Sequence, residues 1–538
     1  MGDLSAPGVP GAEGGVNEAL AIEIVERLWR SGVRTFCVCP GGRNAPIVEV
    51  LDALPRDRAS VLGFFEERAA AFFALGRARR DRAPVAVVTT SGTAAAELLP
   101  AAVEAFYAGV PLVLVTGDRP ASYRGTGAPQ SIEQADLLGR HVARAIDLDR
   151  PGTSWSLGDP RGPVHVNACF DEPLPGARAG AGPLLEERPR GLPPSPADAA
   201  IAREVGTFLR SHDRPLVVVG PLDDERDAAD VLAFCRSLGA PVIVEASSGL
   251  RERVGALRLR GGNLSARLAL DRGEVNAVLR LGGVPSFRVW RDLEAAIAAP
   301  VLSLSRWRWS GLTRGRHLEV HSGGPLPLSR VEAAISPAAF AATFARDRAI
   351  ASRAKALVER FPFSEPALVR RLSLAIPRGA LVYLGNSLPI REWNEYAGEE
   401  DRGLRVRDSR GANGIDGQVS TFLGLAGPDR ESWAIVGDLT ALYDLASLWA
   451  LRHLEGHVVR IVVVNNGGGR IFERMFPNPV YQNRHALRFE AWAKLFDADY
   501  REGVPDAPLG RFAVVECRPD DAETAAFWTE LRRGAVPP

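Results

Sequence analysis

Ser432-Trp-Ala-Ile-Val-Gly-Asp-Leu-Thr-Ala-Leu-Tyr-Asp444 and Val458-Val-Arg-Ile-Val-Val-Val-Asn-Asn-Gly-Gly-Gly469 decide how this chain is read. The apolar runs 433–436 and 458–464 are short and bounded by turn residues, the mark of strands buried on both faces. Between them Leu442, Leu445, Leu448 and Trp449 recur at helical spacing. The unit is strand–helix–strand, and parallel sheets place ligands at the carboxyl ends of their strands. Asp438 sits at the first such end, and Thr440-Ala441 open a helix whose free N–H groups and partial positive charge suit a phosphate. Asn465-Asn466 close the second strand. An amide oxygen and a neighbouring backbone carbonyl are suitable ligands for a hard cation, and Gly467 to Gly469 let the backbone approach phosphates. Either piece alone reads as a turn or a helix cap. Together, on successive strands, they read as a clamp for a divalent metal and a diphosphate.

Outward from this stretch, short apolar runs alternate with longer helix-like segments along all 538 residues. Runs at 33–38, 85–89, 111–116 and 163–166 form a first block, and Pro/Gly-rich 182–196 reads as a linker. Runs at 215–219, 241–244, 277–281 and 300–304 form a second, with another linker over 323–337. Runs at 380–384, 433–436, 458–464 and 512–517 form the third. The expectation is an α/β protein of three doubly wound parallel-sheet domains, over 16–183, 197–330 and 350–538. Lys+Arg and Asp+Glu both number 65, which gives no basic excess for nucleic acid. No run approaches the ~18 apolar residues of a membrane span. Residues 1–15 read as a tail without the basic start and apolar core of a signal peptide. Five scattered cysteines (Cys37, Cys39, Cys169, Cys235, Cys517) suggest reduced thiols and a cytoplasmic protein.

The polar residues that follow other runs are also informative. Cys39-Pro-Gly-Gly-Arg-Asn44, Thr89-Thr-Ser-Gly-Thr93 and Gly117-Asp-Arg-Pro120 lie at strand ends of the first block. Glu66 and Glu67 stand at the first turn of a helix, where acidic residues complement the helix dipole. Arg43, Arg119, Arg391 and Arg410 fall in strand-end loops, with Gln130 and Ser387 nearby. A guanidinium fork matches a carboxylate, so the set suggests a substrate or substrates with several carboxylates.

From Gly437-Asp438 through Asn465-Asn466 the chain resembles thiamine-diphosphate enzymes of the decarboxylase and synthase type. That resemblance implies metal ligation by Asp438, Asn466 and the Gly468 carbonyl. It implies cofactor contacts from Asn413, Leu439, Thr440, Ile471 and Phe472, with Ile415 as the wedge that bends the cofactor. Glu67 would share a proton with the cofactor's aminopyrimidine ring and so activate the thiazolium carbon, while Glu66 would be structural. Within that class, Cys39-Pro-Gly-Gly-Arg43, Thr90-Ser-Gly-Thr93, Asp118-Arg-Pro120, Gly437-Asp-Leu439 and Gly468-Gly-Arg-Ile-Phe472 are similar to the 2-succinyl-5-enolpyruvyl-6-hydroxy-3-cyclohexene-1-carboxylate synthase family of menaquinone biosynthesis. This subfamily implies a transferase that decarboxylates 2-oxoglutarate and adds the succinyl carbon in 1,4 fashion to isochorismate. Ser387, Arg391 and Arg410 would take the succinyl carboxylate. Arg43, Arg119 and Gln130, with Arg288 from the middle domain, would take isochorismate. Gly42 and Pro129 depart from the family's usual Ser and Asn. The implied cofactors are thiamine diphosphate and Mg²⁺, with Mn²⁺ as the alternative. The implied assembly is a homo-oligomer, dimer or tetramer, with active sites between subunits. The rival readings are another thiamine-diphosphate-dependent 2-oxoacid decarboxylase or carboligase, and an inert nucleotide-binding α/β protein. No G-x-G-x-x-G follows a strand, which argues against a dinucleotide-binding dehydrogenase.

Overall fold

The computed structural model describes residues 14–158, 161–172, 174, 197–321, 323–473, 475–476 and 478–533. The tail 1–13 and the linker 182–196 lie outside the described residues. The apolar runs pair into three sheets, parallel throughout and flanked by helices. The first holds β1 (Thr35–Val38), β2 (Ser60–Gly63), β3 (Val85–Thr89), β4 (Leu112–Asp118), β5 (Arg144–Leu148) and β6 (Val164–Cys169), in the order β2-β1-β3-β4-β6-β5. The second holds β7 (Pro215–Val219), β8 (Val242–Val244), β9 (Ala277–Leu281), β10 (Val301–Ser305) and β11 (Arg316–Glu319), in the order β11-β10-β9-β7-β8. The third holds β12 (Leu381–Leu384), β13 (Arg405–Arg407), β14 (Ser432–Gly437), β15 (Val459–Val464), β16 (Asp499–Glu502) and β17 (Phe512–Cys517), in the order β13-β12-β14-β15-β17-β16. The first and third sheets therefore share one strand order. Its direction reverses between β1 and β3 in one and between β12 and β14 in the other. Such reversals open a crevice at the carboxyl ends of the strands.

The sequence runs found the central strands. β2, β5, β11, β13 and β16 were not among them, and each closes a sheet edge. Edge strands are short and half exposed, so they carry charge where central strands carry Val, Ile and Leu. Arg316–Glu319 and Asp499–Glu502 read Arg-His-Leu-Glu and Asp-Tyr-Arg-Glu. The segment 323–337 does not behave as a bare linker, because Leu326 and Leu328 are buried in the middle core. The helix expected over 440–449 begins earlier, at Asp438, and lasts only to Tyr443. A 3₁₀ segment, Leu445–His453, follows.

The chain divides into two compact units. One runs to residue 190 and takes in 416–425 and 446–453; the other comprises 191–415, 426–445 and 454 onward. Within the first unit, helix Gln418–Leu425 crosses helix Glu67–Asp81 at backbone contact. A Cβ on Gly76 would lie 2.0 Å from the Thr421 carbonyl oxygen, and one on Gly424 2.1 Å from that of Phe73. Only glycine permits so close a crossing. Trp449 Nε1 donates to the Gly63 carbonyl at 3.0 Å, and the Trp449 ring meets Phe65 edge-on at 4.9 Å. These contacts fix the turn that leads into Glu67. Among the described residues, no helix is long and apolar enough to cross a membrane. All five cysteines are buried and free.

Candidate active site

In the second unit the predicted clamp assembles at the ends of β14 and β15. Asp438 is buried. Its Oδ1 accepts the Leu439 N–H at 2.7 Å and its Oδ2 accepts the Gly468 N–H at 2.9 Å. That second bond draws the glycine turn after β15 onto the carboxylate that follows β14. Burial pushes the Asp438 carboxyl above its ordinary range. The N–H groups of Gly468 and Leu439 and the His485 ring, 3.3 Å from Oδ2, act in the other direction. Gly468 has φ +132°, and a Cβ there would lie 2.4 Å from the Gln482 carbonyl oxygen, so the turn demands glycine. Its carbonyl, the predicted metal ligand, accepts the Arg470 N–H at 2.8 Å and keeps a second lone pair.

Asn466 completes the set. Its Nδ2 donates to both oxygens of Glu365, at 3.2 and 3.0 Å, while its Oδ1 is buried without a hydrogen-bond partner. A buried amide oxygen left unmatched is costly unless something outside the chain satisfies it. Carboxylate, amide and carbonyl oxygens form a hard donor set suited to Mg²⁺ or Mn²⁺. Among the described residues no three His, Cys, Asp or Glu side chains form a metal cluster. A site of this composition does not require one. Leu439 and Thr440 lie in the short helix Asp438–Tyr443, and Thr440 is buried. The neighbouring Asn465 is held by the Leu487 carbonyl and by Glu516, each at 2.9 Å.

Across the switch point, β12 leads through Gly385 into Asn386-Ser387. Ser387 adopts φ +73°, a strained conformation for a residue with a side chain, at the N-cap of helix Leu388–Tyr396. Arg391 donates to the Ser387 carbonyl. Asn386 Nδ2 donates to the carbonyls of Ser409 and Gly414, at 2.9 and 2.7 Å, and its Oδ1 accepts from Arg410 at 3.0 Å. One side chain thus pins the loop that carries Arg410, Asn413 and Ile415. Arg410 is buried, with its Nε lacking an acceptor. The Arg391 guanidinium is shifted below its ordinary value, first by burial and then by the charge of Arg410. A partly buried guanidinium beside a buried one, both of one sign, could receive an anion. Arg391 and Arg288 line a cavity of about 560 Å³ together with Asn466, Ile471 and Glu365. Phe472 is partly exposed beside it in sequence, in the 3₁₀ turn Arg470–Phe472.

The first unit carries the other candidates. Glu66 caps helix Glu67–Asp81, its Oε2 accepting the Ala69 N–H at 2.7 Å. Glu67 is half-buried, and its carboxyl is raised, first by burial and, more weakly, by the negative charges of Glu66 and Glu97. The loops after β1, β3 and β4 converge. The Arg43 N–H donates to Thr90 Oγ1 at 3.2 Å, a Cβ on Gly41 would lie 2.5 Å from Thr90 Cβ, and one on Gly92 3.3 Å from Gln130 Cα. Arg119 Nε donates to the Pro129 carbonyl at 2.9 Å, which sets it beside Gln130, itself at φ +56°. Arg43 is turned inward, with its two terminal nitrogens on the Phe170 carbonyl, at 2.9 Å, and Glu172, at 2.7 Å. Glu365, Asn386 and Glu516 were not singled out from sequence. Ser364-Glu-Pro366 signals only a helix start, and nothing local joins Glu365 to an amide 101 positions away.

A family model described as thiamine pyrophosphate enzyme, N-terminal TPP binding domain, matches residues 20–137. With the clamp of the last sheet, this places the chain among the thiamine-diphosphate enzymes. Curated relatives narrow the class. A 2-succinyl-5-enolpyruvyl-6-hydroxy-3-cyclohexene-1-carboxylate synthase of Bdellovibrio bacteriovorus is 41% identical over 96% of this chain and 98% of its own length. One of Akkermansia muciniphila is 42% identical over 82% of each chain. One of Rubrobacter xylanophilus is 33% identical over 95% of this chain and 97% of its own. The chain belongs to the 2-succinyl-5-enolpyruvyl-6-hydroxy-3-cyclohexene-1-carboxylate synthase family.

Proposed function

We propose that the protein decarboxylates 2-oxoglutarate and joins the succinyl carbon to isochorismate by 1,4-addition, in menaquinone biosynthesis. Bound thiamine diphosphate supplies the nucleophilic carbon and the electron sink for this chemistry. The Asp438 carboxylate, Asn466 Oδ1 and the Gly468 carbonyl would hold Mg²⁺, or Mn²⁺ in its place, and the metal would neutralise and anchor the diphosphate. The observation that carries this reading is Asn466 Oδ1, buried and without a partner beside a buried carboxylate. Ile415, Ile471 and Phe472 shape the apolar wall around the rings, and Asn413 contributes from the same loop as Ile415.

Glu67 holds and returns a proton at a ring nitrogen of the aminopyrimidine. Its burial-raised carboxyl suits that task, because it stays protonated to higher pH and so still carries the proton it shares with the ring. Arg391, Arg410 and Ser387 orient the distal carboxylate of 2-oxoglutarate. Arg119 and Gln130, with Arg43 once it leaves Glu172, and Arg288 orient isochorismate. The domains 16–183, 197–330 and 350–538 act as aminopyrimidine-binding, middle and diphosphate-binding domains. In a cytoplasmic homo-oligomer, Glu67 of one subunit meets the Asp438 clamp of another. Two measurements test the reading. Calorimetry should show thiamine diphosphate binding that disappears with EDTA. CO₂ release should follow 2-oxoglutarate; release from pyruvate alone would favour a different 2-oxoacid carboligase.

A further inference from the structure

An asparagine amide can present oxygen or nitrogen to the same neighbour, and a metal ligand must present oxygen. At Asn466 the choice is made from behind. Glu365 is buried, and both its oxygens accept from Asn466 Nδ2. With both carboxylate oxygens accepting from Nδ2, it is the NH₂ edge of the amide that faces Glu365. The oxygen edge is forced the other way, and Oδ1 is the atom left buried and unmatched.

Glu365 is itself held. It opens helix Glu365–Ala375, where Ser364 caps the Ala367 N–H, and its own N–H donates to Thr524 Oγ1 at 3.0 Å. The backbone of Asn466 is held separately, by Arg470 Nε on its carbonyl at 3.2 Å, and Arg470 is anchored in turn by Asp521. Backbone position and amide orientation therefore have different keepers. We propose that Glu365 is a positioning residue that fixes the Asn466 amide with Oδ1 toward the divalent metal. This rests on the reading of Asn466 as a metal ligand. Glu365 does not itself ligate the metal. Outer-sphere partners of this kind are worth on the order of 10–100-fold in metal affinity.

The test is a titration of thiamine-diphosphate-saturated protein with Mn²⁺, with free metal followed by its electron paramagnetic resonance signal. Four proteins are compared: wild type, Glu365→Gln, Glu365→Asp and Asn466→Ala. Glu365→Gln keeps size but adds an NH₂ group that can bond Oδ1 and turn the amide over. It should weaken Mn²⁺ binding by on the order of 10–100-fold, without a matching change in the melting midpoint of the metal-free protein. Glu365→Asp keeps the acceptor-only charge and should recover most of that loss. If Glu365→Gln does not fold, a Glu365→Asp affinity more than about 30-fold below wild type overturns the proposal, since the retained charge should still orient the amide. Wild-type affinity in Glu365→Gln alongside lost affinity in Asn466→Ala overturns the role of Glu365 alone. Unchanged affinity in Asn466→Ala overturns the ligand assignment and this inference with it.

Discussion

Replacing Gly468 by alanine should disable the clamp while leaving its ligands in the sequence. Gly468 lies at φ +132°, and a side chain held in such a region costs about 1–3 kcal/mol. Its Cβ would sit 2.4 Å from the Gln482 carbonyl oxygen and 2.9 Å from that of Asn483. The segment 482–484 would have to move, which adds roughly 1–3 kcal/mol of overpacking. The metal-free variant can relieve much of this by letting the turn drift, at the expense of the 2.9 Å bond from Gly468 N–H to Asp438. Metal and diphosphate can bind only when the turn returns, so the strain reappears as lost affinity. About 3 kcal/mol of it corresponds to roughly 100-fold weaker binding of thiamine diphosphate with Mg²⁺. Calorimetry on wild type and Gly468→Ala measures this directly. Binding within about threefold of wild type would refute the claim that this turn is tuned for the metal.

Four further outcomes follow from the same geometry. Glu67→Gln should bind thiamine diphosphate normally but slow proton exchange at the thiazolium carbon, with turnover falling about 10²–10⁴-fold; unchanged exchange by NMR would remove Glu67 from its role. Arg391→Gln should raise KM for 2-oxoglutarate about 10–100-fold, the loss expected for a charge-assisted bond, with little effect on KM for isochorismate. Gly424→Ala places a Cβ 2.1 Å from the Phe73 carbonyl oxygen and should lower the melting midpoint by on the order of 5 °C. His165 is buried, and burial lowers its pKa from 6.5 to about 4. Between those values the unfolded chain takes up a proton that the folded chain refuses, so this contribution is whole above pH 6.5 and is lost as pH falls toward 4. By pH 5 the loss is about 2 kcal/mol, and urea unfolding of wild type should show it while His165→Gln should not.

The central strands, and the placing of the proposed clamp residues at their ends, were legible because each writes itself locally. Val459–Val464 is apolar but for Arg460 because it is buried on both faces, and Asn465-Asn466 follow where the strand ends. Of the edge strands only the fully buried β8 was legible, since strands such as β13 and β16 are partly exposed and read as charged loops. Nor did the sequence foretell that 416–425 would pack with the first unit. That crossing depends on Gly76 and Gly424 meeting backbone oxygens far away in the chain, and a glycine does not announce what it approaches. The site followed the same division. Asp438 and Asn466 could be read from strand ends, and Arg391 and Arg410 from loops. Their keepers, Glu365 and Asn386, act through single long-range hydrogen bonds with no periodicity to betray them.

The central claim is the reaction, and one incubation tests it most directly. Protein with thiamine diphosphate, Mg²⁺, 2-oxoglutarate and isochorismate is followed for CO₂ and for product mass. The account predicts one CO₂ per 2-oxoglutarate consumed and a single adduct that retains both isochorismate carboxylates and the succinyl group, with nothing formed when metal or cofactor is withheld. CO₂ from pyruvate with no adduct, or adduct formation that survives EDTA, would contradict it.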